Sequence, residues 1–419
     1  MDNSVLTSSY GLGQVKADEK LNFKKVFDDN NHIYNGDHSC EYVEIDQISK
    51  LTSTDNFSMY SHNVRSLAGH FDDLLDLLDQ AKPHTFSVIA LQEIWSISRE
   101  FSIPSYNKLE YCTRDMNQPL PNPNCGGGVG LFIDSKFEYE LLEVDSSFLP
   151  GVYESIWAKV QYQKGKFKII GNVYRPNSAP LADLALAIST HNKIIQSLKS
   201  NKNHKNCEIQ IVSDFNVNIL NFAQHELTDK YLESMFSHGL LPVITRPTRI
   251  HHTSASLIDH IFVSNKSKRH IAGIIISSLS DHFPTFYIEE CKIQKIMPKP
   301  YKTRLINDET IPGFENILRT APWERVRKDD PKVAFDNFFE IIGEATDIAF
   351  PEVELKPKTA KSLRTPWMSS GLLKSSKTKN KLFSKYKNKP TLINSEAFKN
   401  YNTIFNRCKK AAKKASQTI

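Results

Sequence analysis

Cysteine pairs, long apolar runs and repeats of fixed period are absent from this 419-residue sequence. Its six cysteines lie far apart, with no CxxC pair and no His/Cys spacing suited to zinc. No apolar run approaches the roughly 18 residues that a membrane-spanning helix needs, and the polar residues 1–10 contain no signal-peptide core. We therefore expect an intracellular globular protein with reduced thiols and no membrane partner.

Acidic residues are scarce near the carboxyl end of the chain. Of the 53 Lys and Arg residues and the 47 Asp and Glu residues, the segment from Lys356 to Ile419 holds 17 basic residues but one acid, Glu396, a net charge of +16. The first 355 residues have a net charge of −10. Such a basic segment suits a polyanion such as nucleic acid, although a run of charge is often only a solvated face.

Composition and hydrophobic periodicity divide the chain into three regions. Residues 1–50 are polar with little periodicity, which predicts weak order. Residues 51–290 alternate short apolar strands with amphipathic helices near 67–78, 181–198 and 228–237, a pattern typical of a large α/β domain. Residues 291–419 combine prolines with helical pieces, and from Lys377 onward a lysine-rich helix carries interleaved aromatic residues. We expect this last region to be a helical basic extension.

Polar side chains follow the predicted strands at the points where the strands end. The run from Glu208 to Val212 ends at Asp214 and Asn216, whose side chains project from the same side of an extended chain. An acid beside an amide can activate and orient a water molecule, although both residue types are also common in turns after strands.

Four further polar clusters lie at the ends of predicted strands, and together they favour a functional site over ordinary turns. These are Asn63, Gln92-Glu93, Tyr174-Arg175-Pro176-Asn177, and Asp259 with Ser280-Asp281-His282. The alternation of strands and helices predicts a two-layered α/β domain with a mixed sheet, and a sandwich of two sheets is an open alternative.

Three consecutive glycines, Gly126 to Gly128, precede the strand at Val129–Ile133. They lack the lysine and the following helix of a phosphate-binding loop. Close packing of strands is the favoured reason for these glycines.

In order and spacing over residues 57–288, the five clusters resemble the motifs of the endonuclease/exonuclease/phosphatase superfamily, which includes DNase I and the apurinic/apyrimidinic endonucleases. The resemblance implies a DNase I-like fold, a two-layered β-sandwich flanked by helices. The superfamily usually has glycine where Ser213 stands, so a positive φ at this position would strain the serine and reduce activity.

Shorter motifs narrow the resemblance to the endonuclease domain of a jockey-like or related LINE-type (non-LTR) retrotransposon. They are His62–Leu67, Gln92–Trp95, Pro247-Thr248-Arg249 and Leu257–Ile261. Pro366-Trp367-Met368 and the lysine-rich helix resemble the connector that leads into the reverse transcriptase, but no Tyr-x-Asp-Asp motif is present. The sequence thus resembles an amino-terminal piece or a truncated copy. The implied partners are duplex DNA and RNA of the parent element, and the implied location is the nucleus.

The resemblance also implies a chemistry, namely phosphodiester hydrolysis that depends on Mg²⁺ or Mn²⁺ and leaves a 3′-OH. Asp214 would act as the base, Asn216 would position the water, and His282, held by Asp259, would stabilise the charged phosphate. The other implied roles are metal binding by Glu93, Asn63 and Asp281, phosphate contacts by Tyr174, Asn177, Arg175 and Ser280, and DNA contacts by Arg65, Thr248 and Arg249.

Two rival functions use the same residues. A phosphodiesterase of the same fold, acting on a lipid or inositol phosphate, would need a pocket for that substrate, whereas Pro247-Thr248-Arg249 and the connector favour DNA. A catalytically decayed remnant that only binds nucleic acid has Ser213 as its support.

Overall fold

The computed structural model describes residues 40–51, 56–97, 99–114, 126–177, 181–251, 254–264, 269–291, 293, 301–304, 306, 309–355 and 367–416. The expectation of weak order in residues 1–39 lies outside the described residues. These described residues divide into two compact units, one within residues 296–361 and the other made of the rest.

The larger unit is built around two seven-stranded sheets. The first has the order β1-β15-β16-β2-β3-β5-β4, with strands β1 (Cys40–Val43), β2 (Phe57–Asn63), β3 (Val88–Gln92), β4 (Glu110–Cys112), β5 (Val129–Ile133), β15 (His270–Ile275) and β16 (Thr285–Glu289). The sheet begins with β1, upstream of residue 51, where the sequence predicts the start of the domain. In this strand Cys40, Tyr42 and Val43 are buried.

The second sheet has the order β11-β14-β10-β9-β8-β6, and β7 pairs with β8. Its strands are β6 (Glu138–Leu141), β7 (Phe148–Leu149), β8 (Tyr153–Gln163), β9 (Lys166–Tyr174), β10 (Glu208–Asp214), β11 (Leu241–Pro242) and β14 (Asp259–Val263). A separate small ladder joins β12 (Arg249–Ile250) to β13 (Ala255–Ser256).

Alternate residues of the first sheet face two different apolar layers. In β3, Val88 and Ala90 belong to the core between the two sheets, whereas Ile89 and Leu91 belong to the core under the helical layer. This period-two pattern is what a strand buried on both faces requires. The architecture is therefore the two-layered β-sandwich flanked by helices that the resemblance implies.

The described residues of this unit that precede the carboxyl-terminal region include four α-helices: α1 (Ile48–Leu51), α2 (Leu67–Gln80), α3 (Leu181–Ser200) and α4 (Glu226–Ser237). The Ser66 hydroxyl caps α2 by accepting the Gly69 amide. No helix in the described part of the chain is long and apolar enough to cross a membrane.

Among its described residues, the smaller unit contains a two-stranded ladder of β17 (Tyr301–Arg304) and β18 (Glu352–Leu355), the α-helices α5 (Ile311–Thr320) and α6 (Pro331–Ala349), and a short 3-10 helix, Trp323–Arg325. Inside it, Arg304 pairs with Asp347 and the Phe314 and Phe350 rings lie 5.0 Å apart.

The last two helices, α7 (Ser370–Asn388) and α8 (Leu392–Ser416), belong to the larger unit. Their contacts with α2 are polar: Ser376 donates to Asp76, Lys409 pairs with Asp73, and Lys413 pairs with Asp72. Part of the positive charge of the basic segment is thus used inside the molecule.

A buried lysine joins the two sheets. Lys168 of β9 is fully buried, and its Nζ lies 2.8 Å from Oε2 of Glu289 in β16 and is also paired with Glu208 of β10. The Tyr162 ring lies 4.4 Å from the same Nζ. Lys168 precedes Tyr174, the last residue of β9, by six residues, or about 20 Å of extended chain. The ion pairs therefore lie far from the strand ends described next.

Candidate active site

The strand registers bring the ends of both sheets to one edge of the sandwich. Asn63 is opposite Gln92 in the parallel pair β2 and β3. Asp214 is opposite Tyr174 in the parallel pair β10 and β9, and opposite Asp259 in the antiparallel pair β10 and β14. Polar residues that are distant in sequence are therefore close in space.

Five of these residues form a connected group, Asn63, Glu93, Asp214, Asp259 and His282, called here the strand-end cluster. The Asn63 amide nitrogen donates to Glu93 Oε1 at 2.8 Å and to Asp214 Oδ2 at 2.7 Å. One amide therefore bridges a carboxylate of the first sheet and a carboxylate of the second.

His282 lies between two carboxylates. Its Nδ1 is 3.0 Å from Asp259 Oδ1 and 3.7 Å from Asp214 Oδ2. Thr248, which is fully buried, donates its hydroxyl hydrogen to Asp259. Because Nδ1 is taken by Asp259, the other ring nitrogen, Nε2, is the one left to meet a substrate oxygen.

Burial and charge together set the protonation of this group. Burial alone would lower the pKa of His282, but Asp259 and Asp214 outweigh it and raise that pKa to about 9. Burial, and next the charge of Asp259, raises the pKa of Asp214 to about 7. Burial would likewise raise the pKa of Asp259, but His282 outweighs it and the pKa is lowered. A protonated imidazole thus lies beside a carboxyl group that titrates near neutrality.

Tyr174 and Asn216 border the strand-end cluster. The Tyr174 hydroxyl donates to Glu93 Oε1 at 3.2 Å, and burial beside Glu93 raises the pKa of this tyrosine. The Asn216 main-chain amide donates to Asp214 Oδ1, and its side-chain nitrogen donates to the Arg175 carbonyl oxygen at 2.8 Å. Asn216 is thus held by two hydrogen bonds beside the proposed base.

Arg175 and Ser280 have partners within the protein. The Arg175 guanidinium is buried and donates to the carbonyl oxygens of Phe215 and Asn216, while its Nη1 has no hydrogen-bond partner within the described residues. The Ser280 hydroxyl donates to the Asn63 carbonyl oxygen at 2.7 Å. These contacts support the strand ends, and phosphate binding by either residue stays a prediction.

Asp281 connects two arginines at the rim of the site. Its Oδ1 pairs with Arg65 at 3.1 Å and its Oδ2 with Arg249 at 2.6 Å. Burial would raise the pKa of Asp281, but His282 and the two arginines outweigh it and lower that pKa to about 2. Asn177 is exposed beyond β9, next to residues outside the described part of the chain.

Left-handed backbone conformations concentrate at this edge. Arg65, Ser66, Glu93, Trp95 and Asn216 all have φ between 44° and 89°. Such conformations cost about 1–3 kcal/mol each for non-glycine residues and persist where the surroundings enforce them, most often at functional sites.

The expectation about Ser213 is wrong, whereas the structure agrees with the expectation about Gly128. Ser213 lies inside β10, opposite Val173 and His260, and does not have a positive φ. The expected strain at this serine is therefore wrong, because the position is ordinary extended backbone. Gly128 has φ +84°, and a Cβ there would lie 2.9 Å from Ile94, so close packing explains this glycine.

The donor atoms around Glu93 fit a hard divalent cation. Glu93 is half-buried, and its Oε2 makes no hydrogen bond within the described residues. A carboxylate oxygen such as that of Glu93 is a ligand that Mg²⁺ or Mn²⁺ prefers. The Asn63 side chain turns its nitrogen toward Glu93, and its oxygen, which accepts the Arg65 main-chain amide at 3.2 Å, has one lone pair left for such an ion. Asp214, Asp259 and His282 also place ligand atoms within 4.8 Å of one another, but there a cation would compete with the His282 proton.

A buried carboxylate near Glu93 was missed by the sequence analysis. Glu154 of β8 is fully buried, lies opposite Tyr174, pairs with Arg114 at 2.6 Å and accepts the Gly128 amide. It lies inside a strand, so no strand-end signal distinguishes it. A charged residue in the otherwise apolar alternation of β8 was the available signal.

The sequence matches no family model and no curated protein. Among solved structures, an endonuclease/exonuclease/phosphatase family protein from Bacteroides thetaiotaomicron is 16% identical, with a TM-score of 0.41 over 56% of this chain and 94% of that chain. The catalytic domain of Xenopus laevis APE2 is 14% identical, with a TM-score of 0.40 over 57% of this chain and 93% of that chain. The human Nocturnin catalytic domain is 13% identical, with a TM-score of 0.39 over 57% of this chain and 95% of that chain.

Proposed function

We propose that the chain is a divalent-metal-dependent phosphodiesterase that nicks duplex DNA and leaves a 3′-OH. The observation that supports this most directly is the strand-end cluster, in which the Asn63 amide links Glu93 to Asp214 and a charged His282 lies beside Asp214. Attack of water on a phosphodiester needs a base, a stabilised phosphate and a compensated leaving group, and the cluster offers residues for each.

Asp214 is the proposed base. A general base works best when its pKa lies near the working pH, and burial raises the pKa of Asp214 into that range. Hydrogen bonds from Asn63 and from the Asn216 main chain fix the carboxylate, so that it takes a proton from a water molecule at a defined position.

His282 is the proposed stabiliser of the phosphate. Its Nδ1 is held by Asp259, and its raised pKa keeps the ring protonated at neutral pH, so Nε2–H donates to an oxygen that gains charge in the transition state. Tyr174 and Asn177 are proposed to hold the phosphate in place. A divalent cation held by Glu93 and Asn63 would supply positive charge to a non-bridging phosphate oxygen or to the leaving group.

The rim of the site favours DNA as the substrate. The Arg65 side chain is 54% exposed, and Asp281 orients it together with Arg249 beside the cluster. Paired guanidinium groups suit successive phosphates of a nucleic acid backbone. On the motifs described above, we extend the proposal to the endonuclease of a LINE-type element, acting in the nucleus, with its parent RNA as a further partner.

Nicking of supercoiled plasmid tests the proposal. With Mg²⁺ the full chain should convert supercoiled DNA to open circles, EDTA should stop the reaction, and a DNA polymerase should extend the nicked product. Nicking that persists in EDTA, or product that no polymerase extends, would count against it.

Two further arms of the experiment distinguish the rival functions. Release of headgroups from phospholipid vesicles, or of phosphate from inositol phosphates, without nicking would favour the phosphodiesterase alternative. Retention of labelled duplex without hydrolysis under any divalent cation would favour a nucleic-acid-binding remnant.

A further inference from the structure

Helix α7 contacts two segments that carry residues of the candidate active site, through Phe383 and Lys387, which are one helical turn apart. Phe383 is buried and belongs to the larger apolar cluster, and its ring lies 6.3 Å from the Phe283 ring at an interplanar angle of 88°. The Lys387 Nζ donates to the Ile250 carbonyl oxygen at 3.0 Å and lies 5.6 Å from the centre of the Phe283 ring.

The residues that α7 contacts are sequence neighbours of site residues. Phe283 directly follows His282, and Ile250 directly follows Arg249. The two contacted segments are also joined to each other, because the Phe283 main-chain amide donates to the Thr248 carbonyl oxygen at 2.8 Å. A single lysine therefore touches both of the segments that carry the rim and the imidazole.

We infer that Lys387 is a positioning residue of the candidate active site. It holds Ile250 and Phe283 in place and thereby fixes the orientation of Arg249 and His282. The catalytic consequence of this role rests on the proposed function, but the structural consequence does not.

The environment of Lys387 favours positioning over direct contact with a substrate. The side chain is half-buried, its ammonium donates to a main-chain oxygen, and the rings of Phe283 and Phe383 lie on it at 5.6 and 5.4 Å. A cation held between two aromatic rings and a carbonyl oxygen has its charge used inside the protein. Lysines on the exposed side of the same helix, such as Lys385, have no such contacts within the described residues.

The role of the basic extension changes accordingly. From composition alone, α7 and α8 would attract DNA and leave the turnover of bound DNA unaffected. A helix that fixes the His282 segment should instead affect kcat, because small displacements of a reacting group lower the rate of the chemical step.

Three variants of the full chain test the inference: Lys387→Met, which keeps the apolar stem but removes the donor and the charge; Lys387→Arg, which keeps both; and Lys385→Met, a matched control on the exposed face. In plasmid nicking, Lys387→Met should lower kcat by about 10-fold with little change in KM, while the other two stay within about 2-fold of the parent. If Lys387→Met instead raises KM and leaves kcat unchanged, and if the slope of log binding constant against log salt concentration becomes about 0.9 less steep, Lys387 contacts a phosphate directly and the inference is overturned.

Hydrogen exchange at the Phe283 amide separates this inference from the proposed function. Exchange should be at least about 10-fold faster in Lys387→Met than in the parent or in Lys385→Met, with global unfolding unchanged. Equal exchange in all variants overturns the inference, whatever the activity. Faster exchange in a protein that nicks no DNA sustains the positioning role and refutes the nuclease proposal instead.

Discussion

Asp76 should make the molecule less stable as the pH rises through 6. It lies on α2 facing α7, is 8% exposed, and accepts hydrogen bonds from Ser376 and, at 3.2 Å, from Gln80. Burial raises its pKa to about 6, even though Ser376 and the charge of Lys379 act in the opposite direction. The perturbation we propose is Asp76→Asn, which removes the charge while its amide oxygen can still accept both hydrogen bonds.

The magnitude follows from the difference between the two pKa values. The folded pKa of about 6 exceeds the ordinary value of 3.8, so the folded state binds this proton more tightly than the unfolded state. Stability contributed by the protonated group is fully present below pH 4 and is lost as the pH rises through 6. At 1.36 kcal/mol for each pH unit, the ionised side chain costs about 3 kcal/mol at pH 7.5 and about half of that at pH 5.

Urea unfolding at pH 5.0 and pH 7.5 measures the effect, with tryptophan fluorescence reporting on the buried Trp157. Asp76→Asn should stabilise the larger unit by up to about 3 kcal/mol at pH 7.5, with an unchanged m value, and by about half as much at pH 5.0. Asp79→Asn on the same helix, whose partner Lys82 is exposed, should change stability by less than about 1 kcal/mol at both pH values. An equal effect of Asp76→Asn at the two pH values would refute the reasoning.

Two other sets of substitutions have defined outcomes, one at the buried ion pair and one at the candidate active site. Lys168→Met leaves Glu289 buried without its cation and should lower the free energy of unfolding of the larger unit, measured in urea, by about 3–5 kcal/mol. The double variant Lys168→Met with Glu289→Gln should recover at least half of that loss. An unchanged urea midpoint in the single variant would show that the ion pair is not maintained. His282→Ala and Asp214→Asn should each lower kcat on plasmid by at least about 10²-fold while far-UV circular dichroism stays the same, and parental activity in either variant would place the chemistry elsewhere.

Strand direction and side-chain alternation made the location of the site predictable from the sequence. Asp214 and Asn63 end strands that run the same way as their parallel neighbours, and parallel strands present their carboxyl ends at one edge of a sheet. These two facts account for Asn63, Glu93 and Asp214, whereas Asp259 begins the antiparallel strand β14 and His282 precedes β16, so their places depend on tertiary packing. The two-sheet arrangement was an open alternative until the resemblance was considered, because short apolar strands suit both architectures.

Side-chain partners that depend on long-range packing could not be predicted. Arg175 was expected to face phosphate, but a sequence does not show that the Phe215 and Asn216 carbonyl oxygens will meet its guanidinium. A lysine-rich helix has the same sequence pattern whether its basic face contacts solvent or an acidic helix. The pairing of Lys409 with Asp73 could therefore not be predicted. The sequence likewise does not show that Lys168 will be buried against Glu289 and Glu208.

The position of β2 in the first sheet has a consequence for the chain as it leaves the ribosome. One edge of β2 pairs with β3, which is close in sequence. The other edge pairs with β16, where Thr285 is opposite Ser61, and β16 is synthesised much later. At about 5–20 residues per second, Thr285 is added about 11–45 s after Ser61, from which it is 224 positions away. During that time β2 has an open hydrogen-bonding edge beside β3, which is apolar from Val88 to Leu91, the combination that recruits a second chain. A holdase chaperone that covers residues 57–92 during synthesis should therefore raise the yield of folded protein more than one that acts after release.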